Sequence, residues 1–216
     1  MPASQTRTGR PLRVVVVTGI FPPDIGGPAT HAADLADELR ARGHLVKVVT
    51  ATDERSFRDD GEVVRVPRRW SWPVRDAAVV AWIVRNRPQV DVVYATGMQE
   101  AAVAGARLAG LPVVVKVVGD PAWERGRRLG LTDAEFDGFQ AGAGGGTRLR
   151  LMRSLRDWSV TTATAVAVPG SELRGVVAGW AGGTEPDEIR LIPNGVRVPA
   201  AAARTVPRPG RCARCT

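Results

Sequence analysis

Lysine is nearly absent from this 216-residue chain, occurring only at Lys47 and Lys116, and cysteine is confined to Cys212 and Cys215. Two cysteines cannot build the dense disulfide framework of a small secreted domain. Their C-x-x-C spacing falls at the very end of the chain, outside any strand-to-helix turn and away from either histidine. Neither a redox dithiol nor a zinc site is expected there. Long apolar runs are missing as well. The run that begins at Val14 is broken by Phe21-Pro22-Pro23 before it reaches the length of a secretory core, and no stretch is long enough to span a bilayer. A cytoplasmic location is the expectation. Aromatics make up only 5% of residues, and no zinc-finger spacing, aromatic ribonucleoprotein motif or helix-turn-helix pattern accompanies the net charge of +8. That charge points to an anionic partner such as a phospholipid headgroup or a lipid-linked phosphate, and nucleic acid is disfavoured. Part of the excess lies in the two ends, at Arg7, Arg10 and Arg13 and again at Arg204, Arg208, Arg211 and Arg214.

What is present is valine, glycine and a regular alternation. Val14-Val15-Val16-Val17 is a continuous β-branched run, the pattern of a strand buried on both faces. Gly26-Gly27-Pro28 then opens a helix, since proline suits a first turn where its missing N–H loses nothing. Ala32, Leu35, Ala36 and Leu39 recur at helical spacing as one apolar stripe, and Gly43 is the natural stop. Unpaired N–H groups at the positive end of the helix dipole make Gly26 and Gly27 candidates for holding a phosphate, carboxylate or sugar hydroxyl.

The alternation continues. Strands are expected at Leu45 to Thr50, Glu62 to Val66, Val90 to Ala95, Pro112 to Val118, Ala165 to Val168 and Glu188 to Ile192. Helices are expected at Pro73 to Asn86, Met98 to Ala109, about Arg148 to Trp158, and Ser171 to Trp180, with a glycine-rich connection at Gly142 to Gly146. This specifies an α/β fold, a Rossmann-like parallel sheet with helices on both faces and right-handed crossovers. Ligands on such sheets bind beyond the carboxyl ends of the strands. The Gly26-Gly27 loop, the Ala95-Thr96-Gly97 turn and the Gly119-Asp120 turn all follow strands and should share that rim.

The rim residues carry the candidate chemistry. His31 falls in the first turn after the glycines, where the helix dipole favours a neutral imidazole able to bond an acceptor hydroxyl or phosphate. A ligand-free surface histidine is the competing reading, and His44, beside Gly43, is read as structural. Asp120, Trp123 and Glu124 offer two carboxylates and a flat indole, which suits a sugar, although Glu124 could equally pair with Arg125, Arg127 or Arg128. Lys116 lies inside a valine strand and must reach a carboxylate or the sheet's end, because an unpaired buried ammonium costs several kcal/mol. A structural pair is expected for it. The helix near Arg148 sets Leu151, Met152, Leu155 and Trp158 against Arg150, Arg153 and Asp157, an amphipathic pattern that fits either packing on the sheet or contact with an anionic membrane. An NAD-binding domain competes structurally, with Asp53 placed after the second strand, but no G-x-G-x-x-G lies between Val17 and the helix.

Phe21-Pro22-Pro23, Gly26-Gly27, His31, the Leu35 to Leu39 helix and Arg42-Gly43-His44 together resemble the amino-terminal half of family 4 glycosyltransferases. Gly119-Asp120-Pro121-Ala122-Trp123-Glu124 and Ile192-Pro193-Asn194-Gly195-Val196 resemble later motifs of the same family, in its order and approximate spacing. The resemblance spans roughly residues 12 to 196. It implies one half of a GT-B fold, the acceptor-side half. It also implies retaining transfer of a sugar from a nucleotide-diphosphate sugar to a glycan or lipid-linked acceptor hydroxyl, with no cofactor and usually no metal. Many members carry a histidine where this chain has Gly119 or Asp120, which makes Asp120 the candidate catalytic residue. Gly26, Gly27, His31, Thr96, Gly97, Gly119, Trp123, Glu124 and Asn194 are the candidate substrate-binding residues. The leaving diphosphate is stabilised in the family by an Arg/Lys pair, and donor sugar and ribose are held by paired glutamates, all in a second domain. The length suits one substantial domain rather than two. The expected organisation is therefore a disordered start at 1–10, the family's amino-terminal domain at 11–196, and a Pro-, Arg- and Ala-biased tail at 197–216 in place of the second domain. Such a chain reads as truncated or frameshifted after Val196 and as inactive alone. A stand-alone glycan- or phosphate-binding module is the alternative, and peripheral contact with the inner face of the plasma membrane fits a lipid-linked acceptor.

Overall fold

The computed structural model describes residues 10–180, 182 and 186–195. The expected end segments, Arg10 apart, lie outside the described residues, as do Val196, Cys212 and Cys215.

Strand β1 (Arg13–Thr18), helix α1 (Gly27–Ala41) and strand β2 (Leu45–Thr52) form the opening unit. A short β3 (Arg58–Asp59), then β4 (Val63–Pro67) and α2 (Trp72–Arg85) follow. Next come β5 (Val92–Ala95), α3 (Gln99–Ala109), β6 (Val113–Lys116) and α4 (Pro121–Arg128). The described chain continues through α5 (Phe136–Gln140), α6 (Thr147–Thr162), β7 (Ala165–Val168), α7 (Ser171–Trp180) and β8 (Arg190–Leu191). The strands form one sheet in the order β3-β4-β2-β1-β5-β6-β7-β8. All pairings are parallel except β3 with β4.

Alternation along β1 shows how the sheet is covered. Val14 and Val16 pack with Ala32 and Ala36 of α1, and Leu35 and Leu39 close the edge of that cluster. Val15 and Val17 point the other way, into a larger core with Val79 and Ile83 of α2 and Ala102 and Ala106 of α3. Both faces are therefore apolar, which is why these strands read as continuous valine rather than as an alternating pattern. Helix α3 is rich in alanine and carries Gly105 where α2 lies close to it: a Cβ on Gly105 would sit 3.0 Å from Ile83 Cδ1. At the far end of the sheet Asp91 accepts from the backbone N–H of Arg13 at 2.8 Å and from its Nε at 3.1 Å, tying the starts of β1 and β5 together.

Four expectations are corrected. The antiparallel strand β3 and the helices α4 and α5 were not foreseen: β3 is two residues long, α4 is short and rich in arginine, and α5 is a single turn with too few residues to show a period. The stripe assigned to α6 is rotated. Leu149, Met152, Arg156, Ser159 and Val160 face inward, whereas Leu151 and Trp158 are exposed, because a buried arginine takes a place on the core side that hydropathy alone assigns to an apolar residue.

Candidate functional site

Three loops leave the carboxyl ends of β1, β5 and β6 and meet at one rim. Their approach is close enough to exclude side chains. A Cβ on Gly97 would collide with the backbone nitrogen of Gly19, so the β5–α3 turn can lie on the β1–α1 loop only as glycine. The next residue, Met98, caps α3 in the left-handed region at φ 45°, a conformation costly for a residue with a Cβ.

A cleft of about 730 Å³ opens on this rim, lined by Gly27, His31, Asp34, Thr96, Glu124 and Asn194. A smaller lobe of about 160 Å³ continues beneath it, where Thr96, Gly97 and Gly119 meet Gln99, Lys116 and Arg125. Thr96, Val118 and Glu124 belong to both. Most of the residues singled out from sequence thus come together: Gly27, His31, Thr96, Gly97, Gly119, Glu124 and Asn194 line one continuous hollow. Gly26 is the N-cap of α1, and with no side-chain cap there, the amino end of that helix is left to other groups.

His31 is the fifth residue of α1, its Nε2 buried without a hydrogen-bond partner. Its pKa is lowered, first by burial and then by the positive charge of Lys116, with Asp34 acting in the opposite direction. The neutral imidazole is the resting form. Glu124 leans back toward the start of its own helix, and a Cβ on Gly119 would lie 2.5 Å from its Oε1. Removal from water and the neighbouring Asp120 raise its pKa, against a smaller pull from Arg128. A rim carboxyl with raised proton affinity suits hydrogen bonding to hydroxyls.

Asp120 does not fill the catalytic place expected of it. It is completely buried, and one carboxylate oxygen accepts from the N–H groups of Ala122 at 2.8 Å and Trp123 at 3.1 Å as the N-cap of α4. The other accepts from Gln140 Nε2 at 2.8 Å and from the guanidinium of Arg156. Both oxygens are engaged inside the protein, so Asp120 positions the loop that carries Gly119 and Glu124. Trp123 also turns from the cleft. Its Nε1 donates to the Ala134 carbonyl at 3.0 Å and its ring meets Phe136 edge-on at 5.4 Å, inside the small core under α4.

Lys116 is the residue whose importance the sequence understated. It is only 3% exposed, yet among the described residues no carboxylate or hydrogen-bond acceptor partners its ammonium, and the expected structural pair is not formed. Burial lowers its pKa. The signal available in the sequence was its singularity, as the one lysine placed at the carboxyl end of a central strand. Gln99, on the same lobe, holds a buried Nε2 without a partner. His44 is structural, accepting from the backbone N–H of Leu12 at 3.1 Å, and Asp53 is held by Arg68 at 2.6 Å. Among the described residues no three His, Cys, Asp or Glu side chains converge as metal ligands would, and no helix is long and apolar enough to cross a membrane.

The geometry has parallels among solved structures. Anabaena Alr3699/HepE, crystallised with UDP, is 14% identical with a TM-score of 0.55 over 86% of this chain and 44% of its own. A putative UDP-N-acetylglucosamine 2-epimerase from Listeria monocytogenes is 13% identical with a TM-score of 0.53 over 84% of this chain and 45% of its own. The chain thus spans less than half the length of either, and at these identities the likeness establishes the Rossmann-like fold they share, one half of the GT-B architecture. No curated protein sequence matches the chain. The family model Glycosyltransferase Family 4 does match, over residues 25–198, and this stretch contains the glycine loop, His31, both rim turns and Asn194; the chain belongs to that family.

Proposed function

We propose that this chain is the acceptor-side half of a glycosyltransferase that moves a sugar, with retention of configuration, from a nucleotide-diphosphate sugar to an acceptor hydroxyl of a glycan or lipid-linked molecule. The observation that carries the reading is the rim cleft, where the exposed amino end of α1 and His31 face Glu124 and Asn194 across a hollow of about 730 Å³. Neutral imidazole, carboxyl and amide groups are the side chains that select and orient hydroxyls. Glu124 and His31 bind the acceptor, while Asp120 holds the loop that aims Glu124. Nucleotide-sugar binding and stabilisation of the departing diphosphate belong to a second half that the described residues do not include. Leaving-group stabilisation is commonly the largest catalytic contribution, so the chain by itself should bind acceptor without transferring sugar.

A peripheral position on the cytoplasmic face of the membrane fits this reading, since α6 exposes Leu151 and Trp158 beside the exposed Arg148 and Arg150. The test is a transfer assay with radiolabelled nucleotide sugars and a cell-envelope extract as acceptor pool. The purified chain should give no product, yet compete with an intact enzyme of the same acceptor specificity. Product formed by the chain alone would contradict the division of labour proposed here.

The NAD-binding alternative loses support because no G-x-G-x-x-G joins β1 to α1, and Asp53, the expected ribose ligand, is paired with Arg68 at the surface. A stand-alone binding module would share the cleft and differ in showing no competition with any transferase.

A further inference from the structure

Gln99, 6% exposed, holds a buried Nε2 without a hydrogen-bond partner on the smaller lobe, and such a group is costly unless a ligand satisfies it. Lys116, 3% exposed, lines the same lobe and has no carboxylate partner among the described residues. It ends β6 at the cleft floor. The β5–β6 register pairs Ala95 with Val115, so the next residues, Thr96 and Lys116, stand side by side at the rim. His31 lies close enough on α1 for the lysine charge to lower its pKa, and its buried Nε2 has no partner. The amino end of α1 is capped by Gly26 without a side-chain oxygen. Three elements therefore bring an ammonium, hydrogen-bonding side chains and a helix dipole to one place.

We propose that Lys116, His31 and Thr96 form an oxyanion subsite that takes the phosphate of a phosphorylated acceptor, a phosphate ester whose hydroxyl-bearing part lies toward Glu124 and Asn194. This rests on the acceptor-side reading of the cleft and adds the chemical class of the acceptor. Groups arriving from β6, β5 and α1 suit a tetrahedral phosphate, with oxygens in several directions, better than a planar carboxylate. The carboxyls that border the subsite, Glu124 and Asp34, favour a ligand that also carries hydroxyls over a bare polyanion. Positive charge is otherwise sparse here. Arg125, which lines the smaller lobe, is directed to Glu100 at 4.0 Å and lies over the Trp72 ring at 4.5 Å.

Only two histidines occur in the chain, so the imidazole proton resonances of His31 and His44 can be followed separately by proton NMR of the full chain. Titration with glucose 1-phosphate or methyl phosphate should shift His31 saturably and leave His44 in place. In Lys116→Met the affinity should fall at least tenfold while the melting temperature stays level, since no ion pair or hydrogen bond among the described residues is lost. A lysine with a purely structural role predicts the opposite pair of results, unchanged binding and a lower melting temperature, and either would overturn the proposal. If Lys116→Met does not fold, Thr96→Val carries the same binding test. UDP distinguishes the source of the phosphate: weaker displacement by UDP than by the sugar phosphate supports an acceptor subsite, and tighter binding of UDP would assign the site to the donor and overturn the acceptor assignment. None of these readouts requires sugar transfer, so a failure of the transferase reading would register separately from a failure of the subsite.

Discussion

The carboxylate of Asp120 is bound by the guanidinium of Arg156, which lies 36 residues further along the chain, and both side chains are buried. Arg156 also lies over the Trp180 ring at 4.2 Å, and Gln140 bridges Trp180 to Asp120 with two hydrogen bonds of 2.8 Å. Helices α4, α5, α6 and α7 are joined by this one network, and through Asp120 it fixes the rim loop that carries Gly119 and Glu124. Removing Arg156 leaves a buried carboxylate, and removing Asp120 leaves the buried guanidinium with only the partly exposed Asp157 at 2.8 Å. Asp120→Ala and Arg156→Ala should each cost about 3–5 kcal/mol in urea unfolding. The double variant should cost less than their sum, because the second change removes the stranded charge left by the first. Additive costs would show that the two residues act independently.

The two rim glycines should separate by their neighbours. Gly97→Ala drives a methyl group into the backbone of Gly19, which cannot yield without moving β1, and a loss of up to about 3 kcal/mol is expected. Gly119→Ala meets only the tip of Glu124, a side chain that can rotate away. Its stability should change by less than about 1 kcal/mol while acceptor binding weakens. Thermal unfolding of both variants, with acceptor titration of Gly119→Ala, checks the pair.

Asp76 provides a pH signature. Burial, and then the charge of Glu100, raise its pKa to about 6 from 3.8. The folded carboxyl thus holds its proton more tightly than the unfolded one. Its contribution to stability is fully present below about pH 3.8 and is lost as the pH rises through about 6. The loss amounts to at most about 3 kcal/mol. Asp76→Asn should be more stable than the parent chain at pH 7 and should flatten its stability profile between those two pH values. Identical profiles for the two proteins would sink this assignment.

His31 should titrate below its ordinary value of 6.5 because burial and the charge of Lys116 both oppose the imidazolium. Lys116→Met removes the second cause and leaves the pull of Asp34, so the midpoint should move upward. A midpoint unaffected by Lys116→Met would place the two side chains too far apart to share a ligand.

The fold was legible because its signals are repetitive. Valine runs at β1 and β6, and glycine stops at Gly43 and Gly110, mark each strand and helix, and the order of the rim turns follows from parallel topology alone. The site was legible as a location. Its chemistry was less so, since the roles of Asp120 and Trp123 depend on partners far along the chain, Arg156 and Gln140 for one, Ala134 and Phe136 for the other. Local pattern carries no trace of such contacts. The same limit rotated the stripe of α6, where Arg156 occupies a core position only because Asp120 and Trp180 receive it. Lys116 was misjudged for the converse reason: its side chain lines the lobe and forms no ion pair among the described residues.

The most direct test of the central claim is equilibrium binding of the purified chain to an array of glycans, sugar phosphates and lipid-phosphate-linked sugars, alongside NAD and nucleotide sugars as soluble ligands. The account predicts saturable binding to one class of sugar acceptor, lost in His31→Ala and weakened in Glu124→Gln, with no comparable affinity for NAD. Saturable NAD binding that depends on Asp53, with no acceptor retained, would contradict it.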